Sequence, residues 1–302
     1  MIRAALAGLV GLVLAFPAQA YERMQRSDCR DALSAGAAAI GLDQADIYAA
    51  DNARHVVTAD GWCRLFGDDP MLDGAPFATL DWRAEGISRL TVEGRPPEAL
   101  EIRIEDWRTE PGDPLTRGAT RRPAPVDATL SLRHVQDSRQ LILESLRIGS
   151  DAGDELFLTA VFERVDFSSA AMAQVSLGSV ALGRLNARAT LNGWVENRVL
   201  PSLEIEGDPQ AVRRMVRDGI DLLPGHLFDT AARANLDAFL DALPAPRGTL
   251  ELGLRSDNGM MFSGVGALFL FGRALDTADP ATALLDGVHV DVIWTPDPNQ
   301  TE

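Results

Sequence analysis

Lysine is absent from this chain of 302 residues, and all 28 basic side chains are arginines. A chain without lysine cannot form a Schiff base with a carbonyl substrate and cannot supply the lysine of a phosphate-binding loop. Histidine is also scarce, and its four residues show no pair at metal-ligand spacing: His55, His134, His226 and His289. The sequence therefore predicts no metal site.

Other motifs of catalysis and cofactor binding are missing as well. The sequence has no Gly-x-Ser-x-Gly nucleophile elbow, and its glycine-containing stretch at 178–185 lacks the spacing of a dinucleotide-binding turn. Carboxylates are so numerous that a close pair would occur by chance, so they do not indicate a glycosidase. We therefore expect a protein that is not an enzyme and that carries no cofactor.

The charge balance is strongly acidic. Forty-four carboxylates face 28 arginines, which gives a formal net charge of −16. A field of this sign repels nucleic acid and anionic membrane surfaces at long range. Nucleic acid is therefore excluded as an expected partner.

No apolar stretch is long enough to predict a membrane-spanning helix. Residues 1–20 combine Arg3, an apolar block from Ala4 to Phe16, Pro17 and a small-x-small end at Ala20. This is the pattern of a cleavable secretory signal peptide, since a spanning helix needs about 20 apolar residues. We expect a soluble periplasmic protein that begins at Tyr21, with 27 arginines against 44 carboxylates, a formal charge of −17.

The two cysteines fit an oxidising compartment. Cys29 lies in the first turn of a predicted helix from Ser27 to about Leu42, and Cys63 lies on a short predicted strand after the turn at 59–61. An even cysteine count in an exported chain indicates a structural disulfide. We expect the bond Cys29–Cys63 to join this helix and strand into an N-terminal unit, residues 21–76.

From residue 77 to the C-terminus the dominant period is two. Alternating leucines and isoleucines predict half-buried strands at 98–107, 127–134 and 247–256. Closely spaced strands are also predicted at 140–148, 155–167, 173–183 and 185–195. Short connections between neighbours favour an antiparallel meander.

Two helices interrupt the predicted strands at about 208–243. The first has Pro209 at its first position and an apolar stripe from Val212 to Leu223, and the second has a stripe from Phe228 to Leu243. The Pro224-Gly225 step joins them, so we expect an antiparallel helical hairpin packed on the sheet. The predicted fold class is therefore α+β, a large, curved, mainly antiparallel meander in residues 77–302 with this hairpin and a small disulfide-stapled N-terminal unit.

The run GMMFSGVGALFLFG, residues 259–272, is apolar on both alternate sets of positions. We expect residues 256–259 to turn the chain and this run to return as the second arm of a hairpin. Such residues form an ordinary core or line a groove for an apolar ligand. The candidate lining residues from this run and from the two helices are Met260, Met261, Phe262, Leu268, Phe269, Leu270, Phe271, Phe228 and Phe239.

Residues from about Asp127 to Gly272 carry a family resemblance. The stretches LSLRHVQDSRQLILESLRIGSDAGDELFLTAVFERVDFSSA, LGSVALGRLNARATLNGW and LPAPRGTLELGLRSDNG resemble the repetitive β-rich periplasmic proteins of the AsmA-like group and similar alphaproteobacterial envelope proteins. The resemblance covers about half of the chain. It implies a long curved sheet with an apolar inner surface, tied to lipid handling or envelope maintenance.

These observations together predict a periplasmic, non-enzymatic protein that binds an apolar, lipid-like ligand or a hydrophobic segment of an envelope partner on its sheet. The alternative is an accessory scaffold with a closed core, whose acidic outer face binds a basic partner. A hydrolase is the least favoured class, because no catalytic motif supports it.

Overall fold

The computed structural model describes residues 21, 23–39, 54–67, 71–72, 75–108, 124–200, 209–221, 223–261 and 285–298. The predicted signal peptide, residues 1–20, lies outside this set, and so does most of the apolar run, from Phe262 onward.

Ten strands form one sheet in which every hydrogen-bonded pair is antiparallel. The order is β1-β2-β5-β6-β7-β8-β9-β10-β11-β12, and a two-stranded ribbon, β3-β4, stands apart. The strands are β1 Arg54–Val57, β2 Cys63–Phe66, β3 Met71–Leu72, β4 Ala75–Pro76, β5 Thr79–Glu85, β6 Ala99–Trp107, β7 Val126–Val135, β8 Gln140–Ser150, β9 Glu155–Glu163, β10 Ala181–Leu191, β11 Gly248–Met261 and β12 Val288–Pro296. The predicted α+β class with an antiparallel meander is confirmed.

Five α-helices and two short helical turns lie in the described ranges. The helices are α1 Arg26–Ala39, α2 Ile87–Thr91, α3 Ala170–Ser179, α4 Pro209–Asp221 and α5 Thr230–Ala242. A π-helical turn follows β10 at Val195–Val199, and a 3-10 turn joins α4 to α5 at Gly225–Leu227.

The disulfide between Cys29 and Cys63 is present, and it joins α1 to β2 as predicted. Both cysteines are fully buried, in a cluster with Met24, Ala32 and Trp82. Because β2 also pairs with β5, this small unit and the rest of the chain share one sheet.

The helical hairpin is also present and antiparallel. Arg213 of α4 donates to the carbonyl of Asp241 near the end of α5, and Arg217 pairs with Asp237 one turn earlier. Asp229 caps α5 by accepting from the backbone N–H of Ala232 at 2.7 Å. The pair packs on β10, β11 and β12, as the apolar stripes predict.

One predicted strand, at 173–183, is wrong. Residues 170–179 form helix α3, and β10 begins only at Ala181. Ser169 caps the helix, since its hydroxyl accepts from the backbone N–H of Met172 at 3.2 Å. This cap and the alanines that follow outweigh the β-branched residues on which the strand prediction rested.

The predicted turn at 256–259 is wrong too. The chain keeps its direction through β11, and Leu182 pairs with Met260 while Arg184 pairs with Arg255. Residues 256–259 therefore form a large bulge opposite Gly183. Gly259 has φ +76° and lies so close to Ala181 that a Cβ would be 2.9 Å from that side chain. The turn-forming residues before it therefore add a bulge to the strand and do not reverse the chain.

Candidate functional site

The two faces of the sheet differ in chemistry, as the period-two alternation predicts. Leu130 of β7 stands in register with Ile102 of β6 and Leu146 of β8, whereas Ser131 stands beside Glu101. Directly opposite residues on neighbouring strands point to the same side, so each such row continues across the sheet. One face is therefore apolar and the other polar.

Ion pairs between arginines and carboxylates of neighbouring strands, or in one case of strands two apart, cover the polar face. One of them is bidentate, with Arg64 Nε 2.6 Å from Asp81 Oδ1 and Arg64 Nη2 2.5 Å from Asp81 Oδ2. The others are Arg83–Glu101, Arg133–Glu85, Arg133–Glu144, Arg147–Glu155 and Arg188–Glu251. The charges on this face largely compensate one another.

A stack of arginines and aromatic rings lies at the N-terminal end of the polar face. Trp62 is buried, and the guanidinium carbons of Arg83 and Arg103 lie 4.4 Å and 3.9 Å from its ring centre. Arg83 also lies 4.1 Å from the ring centre of Tyr21. Burial raises the pKa of the Tyr21 phenol, and the negative charge of Glu101 raises it further. Each cation–π contact contributes about 0.5 to 2 kcal/mol, so this stack fixes the N-terminal segment to the sheet.

Helices cover the apolar face at both of its ends. At the N-terminal end, α1 and the disulfide bury Met24 and Trp82. At the C-terminal end, α4 and α5 cover Leu191 and Trp294, and the ring of Phe239 meets that of Trp294 edge-on at 5.2 Å. The ends of this face are therefore closed by ordinary core packing.

The middle of the apolar face is different. Its cluster consists entirely of side chains from β7 to β11, and no described helix contributes to it. Three members are buried, Leu143, Ala160 and Leu182. The others are partly exposed: Leu130, Leu132, Leu146, Leu158, Phe162, Leu185, Leu254 and Met260. We call these residues the central apolar face.

The central apolar face has room for a chain-like ligand. Along β7 its row runs from Val126 to His134, nine residues whose eight steps span about 27 Å at the rise of a β-strand. A bilayer core about 30 Å thick holds two acyl chains end to end, so one chain spans about 15 Å. An acyl chain is therefore shorter than the row.

The predicted lining residues are placed in several locations. Met260 belongs to the central apolar face, and Met261, the next residue, is 40% exposed. Phe228 packs in a neighbouring cluster with Leu227 and Leu285, against which Leu254 and Met260 of the central apolar face also pack. Phe239 packs on the ring of Trp294. Phe262, Leu268, Phe269, Leu270 and Phe271 lie outside the described residues.

The leucines of β7 to β10 are not among the predicted lining residues. The alternation of Leu130 and Leu132 in the sequence is the signal that could have identified them, because it places both side chains on one face. The prediction favours methionine and phenylalanine because these side chains adapt to irregular partners in binding sites. In the structure, the exposed apolar surface is mostly aliphatic.

One end of the central apolar face carries polar side chains. Ser150, at the end of β8, is in register with Val126 and so lies on the apolar side. The buried carboxylate of Asp154, just beyond it, accepts from the backbone N–H groups of Asn192 at 2.5 Å and Trp194 at 3.0 Å. This links the β8–β9 turn to the segment that leaves β10.

The π-helical turn after β10 crosses this end of the sheet. Val195 packs in the core under the helical hairpin, which places the turn on the apolar side. Arg198 donates a hydrogen bond to the carbonyl of Ala124, which precedes β7. Burial lowers the pKa of the Arg198 guanidinium, and the charge of Asp154 acts in the opposite direction.

Several hydrogen-bonding atoms at this end are buried without a partner: Ser150 Oγ, Trp194 Nε1 and Glu196 Oε2. The other oxygen of Glu196 is paired with Arg247. Among the described residues, no carboxylate forms an ion pair with Arg198. Buried polar atoms normally have partners, so this end of the face has two unused donors, Ser150 Oγ and Trp194 Nε1, and one unused acceptor, Glu196 Oε2.

Two of the four histidines lie close to backbone carbonyls. His134 is buried, with Nε2 3.1 Å from the carbonyl of Val165 and its ring 4.8 Å from that of Phe167. His226 lies 3.3 Å from the carbonyl of Leu285. Within the described ranges, no group of three or more potential ligands is placed to hold a metal ion.

Comparisons with protein-family models, with curated proteins and with solved structures find no match to this chain. No helix in the described part of the chain combines the length and the apolar character that crossing a membrane requires. The resemblance to the AsmA-like group stays a prediction.

Proposed function

We propose that this protein is an exported, periplasmic binding protein that holds the acyl chain of a lipid on the central apolar face and performs no chemistry on it. The observation that carries the proposal is the partly exposed aliphatic surface of β7 to β10, to which no described helix contributes. A contiguous apolar surface of this kind marks a binding site for an apolar partner.

The chemistry of the surface favours an acyl chain over an aromatic or polar ligand. Leucine supplies most of the side chains, and Phe162 is the one aromatic residue of the cluster. Such a surface offers dispersion contacts and removal of hydrocarbon from water, about 25 cal/mol for each Å² buried. A polar ligand would lose its hydration here without gaining hydrogen bonds.

The polar face also favours a lipid-binding protein over the alternative, a scaffold whose acidic outer face binds a basic partner. A scaffold that recruits a basic partner needs an unpaired acidic surface, whereas the described carboxylates on the polar face are largely paired with arginines. A carboxylate that is already paired with an arginine is less available to a basic partner. The apolar face is therefore the better candidate.

The test uses N-phenylnaphthylamine, an uncharged apolar dye that fluoresces when it leaves water. Leu158→Asn places an amide on the central apolar face, and we expect it to weaken dye binding about tenfold, as the loss of most of one leucine contact would. Thr159→Asn is the matched control, because it makes the same side chain one residue along β9 on the polar face. We expect it to leave dye binding unchanged.

Native mass spectrometry of protein purified from periplasm without detergent provides the second measurement. We expect a fraction of molecules to carry the added mass of a lipid. Bare chain in every preparation, together with no dye uptake, contradicts the proposal. Equal loss of dye binding in Leu158→Asn and Thr159→Asn, with both variants folded by circular dichroism, contradicts the location of the site.

A further inference from the structure

We propose that the lipid held by this protein is a fatty acid, whose carboxylate is bound by Arg198 with the Ser150 hydroxyl and the Trp194 indole N–H as additional donors. This inference rests on the proposed function, since it names the ligand of the central apolar face. It assigns an anion site to the end of that face where β7, β8 and β10 meet the π-helical turn.

Hydrogen bonds and strand register connect the segments that carry the three donors. The N–H of Ser150 donates to the carbonyl of Asp154 at 3.0 Å, and the side chain of Asp154 accepts from the N–H of Trp194. Arg198 lies four residues after Trp194, about one turn of a π-helix, and reaches the carbonyl of Ala124. Ala124 precedes Val126, the register partner of Ser150. These contacts connect the start of β7, the end of β8 and the π-helical turn at this end of the apolar face.

The donors are present in excess over the acceptors. A guanidinium has five N–H groups, and Ala124 supplies the acceptor that the described residues provide to Arg198. Ser150 Oγ and Trp194 Nε1 are buried without any partner. Asp154 attracts Arg198 through its charge without forming an ion pair with it, so an anion that accepts from these donors stabilises the half-buried cation further.

The local charges favour a monoanion. Arg247 pairs with Glu196, so these two charges cancel. Asp154 is buried nearby, and its charge acts on Arg198. A carboxylate adds one negative charge to this site, whereas a phosphate monoester adds up to two and is repelled more strongly by Asp154.

The position of the anion site matches the direction of the apolar surface. From Ser150 the rows of leucines lead away along β7 to β10 toward His134 and Phe162, which lie near the other end of these strands. A ligand with one charged end and one long apolar chain places the charge at Arg198 and the chain on the central apolar face.

The experiment compares palmitate with cetyl alcohol, which has the same chain without the carboxylate. Displacement of N-phenylnaphthylamine from full-length mature protein gives both affinities. We expect wild-type protein to bind palmitate at least tenfold more tightly than the alcohol, as a charge-assisted hydrogen bond implies. Arg198→Gln should remove this preference, because palmitate loses a charge-assisted hydrogen bond and the alcohol loses at most a weaker one.

Arg188→Gln is the matched control, because it removes the same charge from the exposed polar face of β10. We expect it to keep the preference for palmitate. Ser150→Ala is the second variant, in which one donor is lost while Arg198 remains, and we expect an intermediate preference. It keeps the inference testable if Arg198→Gln does not fold.

The outcomes separate the two proposals. If both ligands bind and Arg198→Gln preserves the preference, the anion site is wrong and the lipid-binding function stands. If lysophosphatidic acid binds more tightly than palmitate and loses this advantage in Arg198→Gln, the site prefers a phosphate and the fatty-acid assignment is wrong. If neither palmitate nor the alcohol displaces the dye, the proposed function itself is contradicted.

Discussion

His55 lies on the edge strand β1, close to Arg26 and Arg30 of helix α1. Burial lowers the pKa of its imidazole below the usual 6.5, and the two arginines lower it further. The folded state therefore resists protonation at a pH where the unfolded chain accepts a proton. For a group whose folded pKa is depressed, protonation of the unfolded chain reduces stability as the pH falls.

The expected result is a lower urea midpoint at about pH 5 than at about pH 7, the range in which histidine titrates. The urea midpoint of His55→Gln should depend less steeply on pH, because the substitution removes a group that binds a proton more readily in the unfolded chain. The measurement is urea unfolding followed by tryptophan fluorescence. An identical dependence in wild type and variant would show that His55 does not contribute.

The donors at the end of the central apolar face could not be predicted from the sequence. Ser150, Trp194 and Arg198 stand in different segments, and none belongs to a recognisable motif. Their proximity depends on the register of Val126 with Ser150 and on the side chain of Asp154. Both are long-range properties of the sheet, which a local pattern does not contain.

At the scale of elements, period and composition predicted most strands and both helices of the hairpin. The wrong predictions occurred where a local sequence signal is compatible with two different structures. A serine followed by alanines capped α3 where a strand was predicted, and the turn residues before Gly259 made a bulge because β10 hydrogen-bonds to the chain on both sides of it. Register with neighbouring strands decides such cases.

The disulfide joins helix α1 to strand β2, which is hydrogen-bonded to β1 and β5. Helix α1 contacts the short strand β1 and α2, and the bond closes a loop with a sequence separation of 34. In the entropy model, a loop of this length stabilises the folded state by about 3 to 4 kcal/mol. We expect Cys29→Ala/Cys63→Ala to lose stability of this order, measured by urea unfolding.

Reduced wild-type protein is the control for this double variant. It should unfold at nearly the same urea concentration as the variant, because both lack the cross-link. A double variant as stable as oxidised wild type would show that the bond constrains neither the unfolded chain nor the packing of α1.

At the scale of the whole molecule, the sheet has one apolar face, and the described helices cover only its two ends. Among the described residues, the N-terminal unit and the helical hairpin each bury a cluster under helices, whereas the strands between them bury Leu143, Ala160 and Leu182 without a helix. The sequence predicted the sidedness of this sheet through the alternation of its strands. It did not predict where the helices would sit, because amphipathic stripes do not name the strand on which they pack.

A ligand that covers the middle of this face should stabilise the whole domain. Palmitate at about 100 times its Kd is expected to raise the free energy of unfolding by about 2.7 kcal/mol, because it binds the folded state alone. For a chain of this size the melting temperature should rise by about 5 °C, measured by differential scanning calorimetry. Hexanoate, which has the same carboxylate and a chain too short to cover the leucines, is the control. Equal shifts with both acids would mean that the charge alone stabilises the fold and that the leucine surface is not the site.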